Sequence, residues 1–89
     1  MQRIYKYPLE PMNTESVSMP QGSKILHVGN QGGKLCLWAL VDTCGTASAR
    51  IITVVGTGQD LWTAKNGRQN EYIGTVIIGS FVWHVFELL

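Results

Sequence analysis

Residues 71–89, with the sequence E-Y-I-G-T-V-I-I-G-S-F-V-W-H-V-F-E-L-L, decide the fold. Two β-prone runs flank Gly79-Ser80, and two runs separated by two residues with glycine first are typical of a hairpin closed by a type II′ turn. A strand that is apolar on both faces has to be covered on both faces, which predicts a layered β protein. The final run has this character: Phe81, Trp83 and Val85 lie on one face, and Val82, His84, Phe86 and Leu88 on the other.

The rest of the chain is divided by turn residues into further short β-prone runs. Pro8 predicts that the first run forms an edge strand, because proline cannot donate to a ladder. We expect the third and fourth runs to pair at the centre of a sheet. The sequence therefore predicts a single all-β domain over residues 1–89, a small antiparallel sandwich or partly open barrel of about seven strands with no long helix. The predicted strands are Arg3 to Leu9, Glu15 to Met19, Lys24 to Gly29, Lys34 to Asp42, Ala49 to Val55, Tyr72 to Ile78 and the final run.

Composition limits the classes of partner. The chain is 45% hydrophobic and 15% charged with a formal charge of +1, so it lacks the basic cluster on which non-specific binding to nucleic acid depends. Sparse charge leaves apolar surface exposed, which favours a homo-oligomer, most simply a dimer, or a protein partner. No apolar run is long enough to span a membrane, and the first residues do not read as a signal peptide. We therefore expect an intracellular protein with reduced thiols, Cys36 buried and Cys44 in a loop.

No pattern of catalytic or metal-binding residues is present. Gly56-Thr57-Gly58 begins like a dinucleotide fingerprint, but Leu61 stands where the third glycine is needed. The two cysteines and two histidines lack the short paired spacing of zinc ligands. We expect His84 and His27 to be partly buried and hydrogen-bonded, with His27 on the same face as Ile25. The sequence thus predicts no enzyme, no cofactor and no metal.

The candidate binding residues lie in a loop and on the first strand. From Gln59 to Asn70 the hydrophobic period is lost, and this polar stretch could start with one helical turn or form a tucked loop. An aromatic side chain in such a loop can anchor a partner or stack a base, and two flanking cations can contact an anion. By contrast, Trp38 and Trp83 are expected to pack in the core. The predicted contact residues are Trp62, Lys65 and Arg68 in the loop, and Tyr5 and Tyr7, which share one face of the first strand.

Several motifs in a fixed order resemble a family of short phage-encoded proteins with no assigned activity. The resemblance covers nearly the whole chain, and the sequence departs from it mainly between Trp62 and Gln69. It implies a context, an accessory protein made in the cytoplasm of a bacterial host, and it assigns no functional residue. The motifs are I-Y-K-Y-P-L-E from Ile4, M-P-Q-G-S-K-I-L-H-V from Met19, C-L-W-A-L-V-D from Cys36, G-T-G-Q from Gly56, E-Y-I-G-T-V from Glu71 and V-W-H-V-F-E from Val82.

Three functions fit these features. The first is a binding protein that engages a host protein or protein complex, for example as an inhibitor of an antiviral defence system. The second is an oligomeric sponge that sequesters a nucleotide signal between subunits with the loop residues named above. The third is a minor virion or assembly component. We expect the first.

Overall fold

A computed structural model describes residues 1–61 and 69–89, and in them the chain forms seven strands arranged as two antiparallel sheets. The three-stranded sheet has the order β1-β4-β3, and the four-stranded sheet has the order β2-β5-β7-β6. The described residues contain no helix, and thus none that could cross a membrane. The strands are β1 (Gln2–Pro8), β2 (Thr14–Pro20), β3 (Lys24–Gln31), β4 (Lys34–Asp42), β5 (Ala47–Gly56), β6 (Asn70–Ile78) and β7 (Phe81–Leu88).

The all-β prediction is confirmed, and of its two architectures the structure is the sandwich, because the sheets do not close into a barrel. β1 lies at an edge, as Pro8 predicts. The placement of β3 and β4 together at a sheet centre is wrong: β4 is central, but β3 is the other edge of its sheet. The final strand β7 is central in the larger sheet and pairs on both sides.

Two hairpins close through two-residue turns that need left-handed backbone. In the β6–β7 turn, Gly79 has a φ of 60° while Ser80 is not left-handed, as the predicted type II′ turn requires. In the β3–β4 turn both central residues are glycines with positive φ, Gly32 at 59° and Gly33 at 85°. Because glycine adopts these angles without steric cost, the turns fix the registers of both hairpins.

The core lies between the two sheets and is built by alternate residues of each strand. The inward side chains of β4 are almost completely buried, and inward side chains of β5 and β7 in the other sheet belong to the same core. Each such aliphatic side chain contributes roughly 1.5–3 kcal/mol when it leaves water. Trp83 belongs to this core, as predicted, and is 9% exposed. The inward residues of the three central strands are Leu35, Leu37, Ala39 and Val41 on β4, Ile52 and Val54 on β5, and Trp83 and Val85 on β7.

A β-bulge interrupts β3 and another interrupts β6. Leu26 is the extra residue of β3, between the pairs Ile25–Ala39 and His27–Trp38. Ile73 is the extra residue of β6, between the residues that pair with Phe86 and Val85. A bulge shifts the alternation by one residue, so His27 faces away from the core while Ile25 packs against it. The expectation that these two residues share a face is therefore wrong.

The residue after the second bulge, Gly74, brings β6 close to β3. A Cβ atom at Gly74 would lie 2.8 Å from Cγ2 of Val28, which is itself 4% exposed. Real Cβ atoms do not approach another carbon so closely, so any larger residue here would push the two strands apart. This contact closes one side of the sandwich.

We expect Gly74→Ala to lower the free energy of unfolding by about 1–3 kcal/mol, because the added methyl group overpacks the β3–β6 contact. In Val28→Ala the clashing Cγ2 is absent, so the double variant is expected to lose less stability than the sum of the two single variants. Urea unfolding followed by tryptophan fluorescence measures all four proteins. Additive losses would show that Gly74 does not act through Val28.

Candidate binding surface

The two tyrosines predicted as contact residues lie on the inner side of β1. Tyr5 pairs with Ala39 and Tyr7 with Leu37, both core positions of β4. Tyr7 is half-buried against the core, and burial raises the pKa of its hydroxyl, with a smaller contribution from Tyr5. Tyr5 is 39% exposed, so it alone of the pair presents a large surface to solvent. The other predicted contact residues, Trp62, Lys65 and Arg68, lie outside the described residues, as does most of the predicted helical turn.

The outer face of the three-stranded sheet is apolar at its centre. Because the odd-numbered residues of β4 form the core, its even-numbered residues point outward. Trp38 and Leu40 lie there half-buried, and Ile4 of β1, which pairs with Leu40, is 61% exposed. No described part of the chain packs over these side chains as a further layer. We call this surface the outer face; its residues are Gln2, Ile4, Lys6 and Pro8 of β1, Lys34, Cys36, Trp38, Leu40 and Asp42 of β4, and Lys24, Leu26, His27, Gly29 and Gln31 of β3.

Trp38 marks the centre of the outer face. It pairs with Lys6 on one side and with His27 on the other, and the His27 and Trp38 rings lie 5.9 Å apart, centroid to centroid. The prediction that Trp38 packs in the core is wrong because β4, although apolar on both sides, has its odd-numbered face inward. An aromatic ring at the centre of a sheet face that the described strands leave open is typical of a contact residue.

Lysines form the rim of the outer face. Lys6, Lys24 and Lys34 are all exposed, and the face carries a single carboxylate, Asp42, at its end. That carboxylate accepts a hydrogen bond from the backbone N–H of Cys44, which lowers the pKa of Asp42. The three lysines of the described residues therefore lie on one face, although the cations look scattered along the sequence. Sequence reasoning missed this surface because β4 is apolar on both sides, so its pattern does not tell which side faces outward. The outward positions of β1 are of mixed character and gave no signal either.

A hydrogen bond spans the central strand of this face. Lys6 Nζ donates to Gln31 Oε1 over a distance of 2.8 Å, from one edge strand of the sheet to the other. Cys36 lies between them in register and is only 2% exposed although it points outward. The predicted burial of Cys36 is confirmed, and Cys44 is exposed in its loop.

A second apolar surface lies at the end of the β6–β7 hairpin. Phe81 is 63% exposed and stacks on Trp83, with ring centroids 5.8 Å apart. Met12, which is also exposed, lines the same shallow depression of about 300 Å³ and has a φ of 60°. A left-handed backbone costs a methionine roughly 1–2 kcal/mol, so the turn holds this side chain at the surface against a local preference.

The outward side of β7 is half-buried and carries an internal hydrogen-bond network. One ring nitrogen of His84 bonds with the hydroxyl of Thr57 at 2.7 Å and the other with that of Thr75 at 3.1 Å. The Thr75 hydroxyl also bonds with that of Tyr72. The prediction of a partly buried, hydrogen-bonded His84 is confirmed. The predicted homo-oligomer stays a prediction.

A partly buried ion pair lies inside the sandwich at one end. Arg50 donates two hydrogen bonds to the Glu87 carboxylate, through Nε to Oε2 and through Nη2 to Oε1, the second at 2.8 Å. It also donates to the backbone carbonyl of Ser23. The hydrogen bonding to Glu87 raises the pKa of Arg50, and Glu87 is 7% exposed. A guanidinium satisfied in this way is a structural element, because few of its donors remain for a ligand.

One family model matches the chain over residues 1–89. The chain belongs to the DUF7352 family, a domain of unknown function. No curated protein and no solved structure matches it. The extent of the DUF7352 match agrees with the whole-chain resemblance described above, whereas a phage origin stays a prediction. Among the described residues, no group of three or more potential metal ligands comes together in this DUF7352 chain.

We expect Glu87→Leu in this DUF7352 protein to lower the free energy of unfolding by about 3 kcal/mol, because it leaves a largely buried guanidinium without its anion. This value is the lower end of the usual loss of stability on breaking a buried ion pair, since 22% of the Arg50 side chain remains exposed. The double variant Arg50→Met, Glu87→Leu is expected to come within about 1 kcal/mol of the unsubstituted protein. Urea unfolding measures both. If the double variant is as unstable as Glu87→Leu, the unpaired charge of Arg50 is not the cause of the lost stability.

Proposed function

We propose that the protein is a non-catalytic binding protein that engages a partner protein through the outer face. One observation carries the proposal: a sheet face that no described strand covers has an apolar centre and a lysine rim. Protein interfaces have this anatomy, with aromatic and aliphatic side chains desolvated in the middle and polar groups at the periphery. The apolar centre consists of Trp38, Leu40 and Ile4.

The outer face lies on a rigid support. β4 pairs with a neighbour on each side along its length, so Trp38 and Leu40 are held by two ladders of hydrogen bonds. Little conformational entropy is then lost when a partner covers them, which favours affinity. Exposed Ile4 on the adjoining strand extends the same apolar area.

The charges indicate the chemistry of the partner. Three lysines surround the apolar centre, and the one carboxylate of the face lies at its far end. Charge complementarity then favours a partner surface with an apolar patch and acidic groups around it. Three lysines are few for a nucleic-acid site, and exposed aliphatic side chains have no role in contacting phosphates. We therefore favour a protein.

The resemblance to phage-encoded proteins suggests a finer hypothesis. In it the partner is a host protein of a bacterial antiviral system, and binding takes place in the bacterial cytoplasm. The proposed surface is compatible with that role and does not depend on it. The nucleotide-sponge alternative relied on Trp62, Lys65 and Arg68, which lie outside the described residues. No described contact favours it over protein binding.

We expect Ile4→Asp to weaken capture of the partner from a bacterial lysate by at least about tenfold, because it puts an unpaired carboxylate into the apolar centre. The matched control is Ile77→Asp: Ile77 is 66% exposed on edge strand β6, and Ile4 is 61% exposed on edge strand β1. Quantitative pull-down, with circular dichroism to verify folding, measures both variants.

Equal losses in the two variants, or no loss in Ile4→Asp, would contradict the proposal. A labelled single-stranded oligonucleotide is tested in parallel. If it binds the unsubstituted protein with an affinity that Ile4→Asp abolishes, the surface serves nucleic acid and the protein-binding proposal is wrong.

A further inference from the structure

β1 has a free backbone edge. The Leu9 N–H donates to the Leu35 carbonyl and the Thr43 N–H donates to the Met1 carbonyl, so odd-numbered residues of β1 form the hydrogen-bonded pairs with β4. The N–H and C=O groups of Gln2, Ile4 and Lys6 consequently point away from β4. No strand of the described chain pairs with that side. The next even-numbered residue is Pro8, which has no backbone N–H, so the row of outward N–H groups ends there.

The other three edges of the two sheets differ from β1. β3 and β6 each carry a bulge, which interrupts the even row of backbone groups that an added strand needs. β2 has no bulge, and like β1 it has backbone N–H groups at alternate residues that point away from its neighbouring strand. These residues are Thr14, Ser16 and Ser18, so their side chains are small and polar. β1 and β2 therefore form a matched pair of open edges that differ in side-chain chemistry.

The charge of β1 indicates what its edge would take. Arg3 and Lys6 are both exposed, and residues 2–8 contain no carboxylate. The ammonium of Lys6 is bonded to the neutral side-chain oxygen of Gln31, so its charge is not compensated by that contact. A second copy of β1 would bring four cations together without an anion, whereas an acidic strand would neutralise them.

We propose that an extended acidic segment of the partner protein adds to β1 as a fourth strand of its sheet, pairing with Gln2, Ile4 and Lys6. This mode of binding rests on the proposed function, because the added strand would widen the outer face that contains Trp38. Main-chain hydrogen bonds supply affinity in such complexes, and alternate side chains supply specificity. Side chains of the added strand would lie beside Ile4 on the outer face and beside the exposed part of Tyr5 on the other.

The test uses a fluorescein-labelled ten-residue peptide of alternating glutamate and valine. Binding is followed by fluorescence anisotropy and by the amide chemical shifts of β1 and β2. We expect shifts at Gln2, Ile4 and Lys6 and none at Thr14, Ser16 or Ser18. A peptide of alternating lysine and valine is expected not to bind, because it repeats the charge of β1.

The decisive comparison is Ile4→Pro against Ile4→Ala. Both variants lose the isoleucine side chain, but only proline also removes the outward N–H while leaving the pairing with β4 intact. We expect Ile4→Pro to bind the glutamate–valine peptide at least about fivefold more weakly than Ile4→Ala, the effect of losing one backbone hydrogen bond. Ser16→Pro removes the corresponding donor of β2 and is expected to have no effect.

Equal binding by Ile4→Pro and Ile4→Ala would overturn strand addition, and the outer-face proposal, tested by Ile4→Asp, would stand. Loss of binding in Ser16→Pro, or self-association that Ile4→Pro abolishes, would also overturn it. If Ile4→Pro does not fold, a peptide N-methylated at alternate residues tests the same hydrogen bonds on the unsubstituted protein. Undiminished binding of the methylated peptide would then overturn the proposal.

Discussion

The two described sheets are open, so they have four strand edges with unpaired backbone groups and two outward faces. The rest of the structure depends on which of these edges and faces are protected. A closed barrel would have no edges, but seven strands divided into three and four cannot avoid them. Bulges interrupt two edges, and a proline stands at the end of each of the other two. Neither outward face is covered by a further layer of strands from residues 1–61 and 69–89. The edges of β1 and β2 stay open, and of the two only β1 adjoins the outer face with its apolar centre and lysine rim.

Local patterns were sufficient to predict most of the fold. Alternating residues and turn glycines act over short distances, so the strands and the turn at Gly79 followed from the sequence alone. Pro8 marked β1 as an edge for an equally local reason. The choice between sandwich and barrel depends on pairings between distant strands, which no local pattern encodes.

The surface residues were harder to predict because single residues change which side of a strand faces the core. The bulge at Leu26 reversed the side on which His27 lies, and no feature of the run Lys24 to Gln31 marks it in advance. β4 is apolar on both sides, so the sequence could not tell that Trp38 points outward. The Arg50–Glu87 pair was missed for another reason: its partners meet only through the β5–β7 register. Of the predicted contact residues, Tyr5 lies next to the proposed binding edge, while Tyr7 is mainly structural.

Amide hydrogen exchange along β1 in the free protein, resolved by NMR, tests most directly whether this edge is available. If β1 pairs on one side only, the amides of Arg3, Tyr5 and Tyr7 are protected by β4, and those of Gln2, Ile4 and Lys6 exchange close to the rate of an unstructured chain. We predict this alternation, at a protein concentration low enough to exclude self-association. Protection of Ile4 and Lys6 equal to that of Tyr5 would show that the edge is already covered, and would contradict its role in binding.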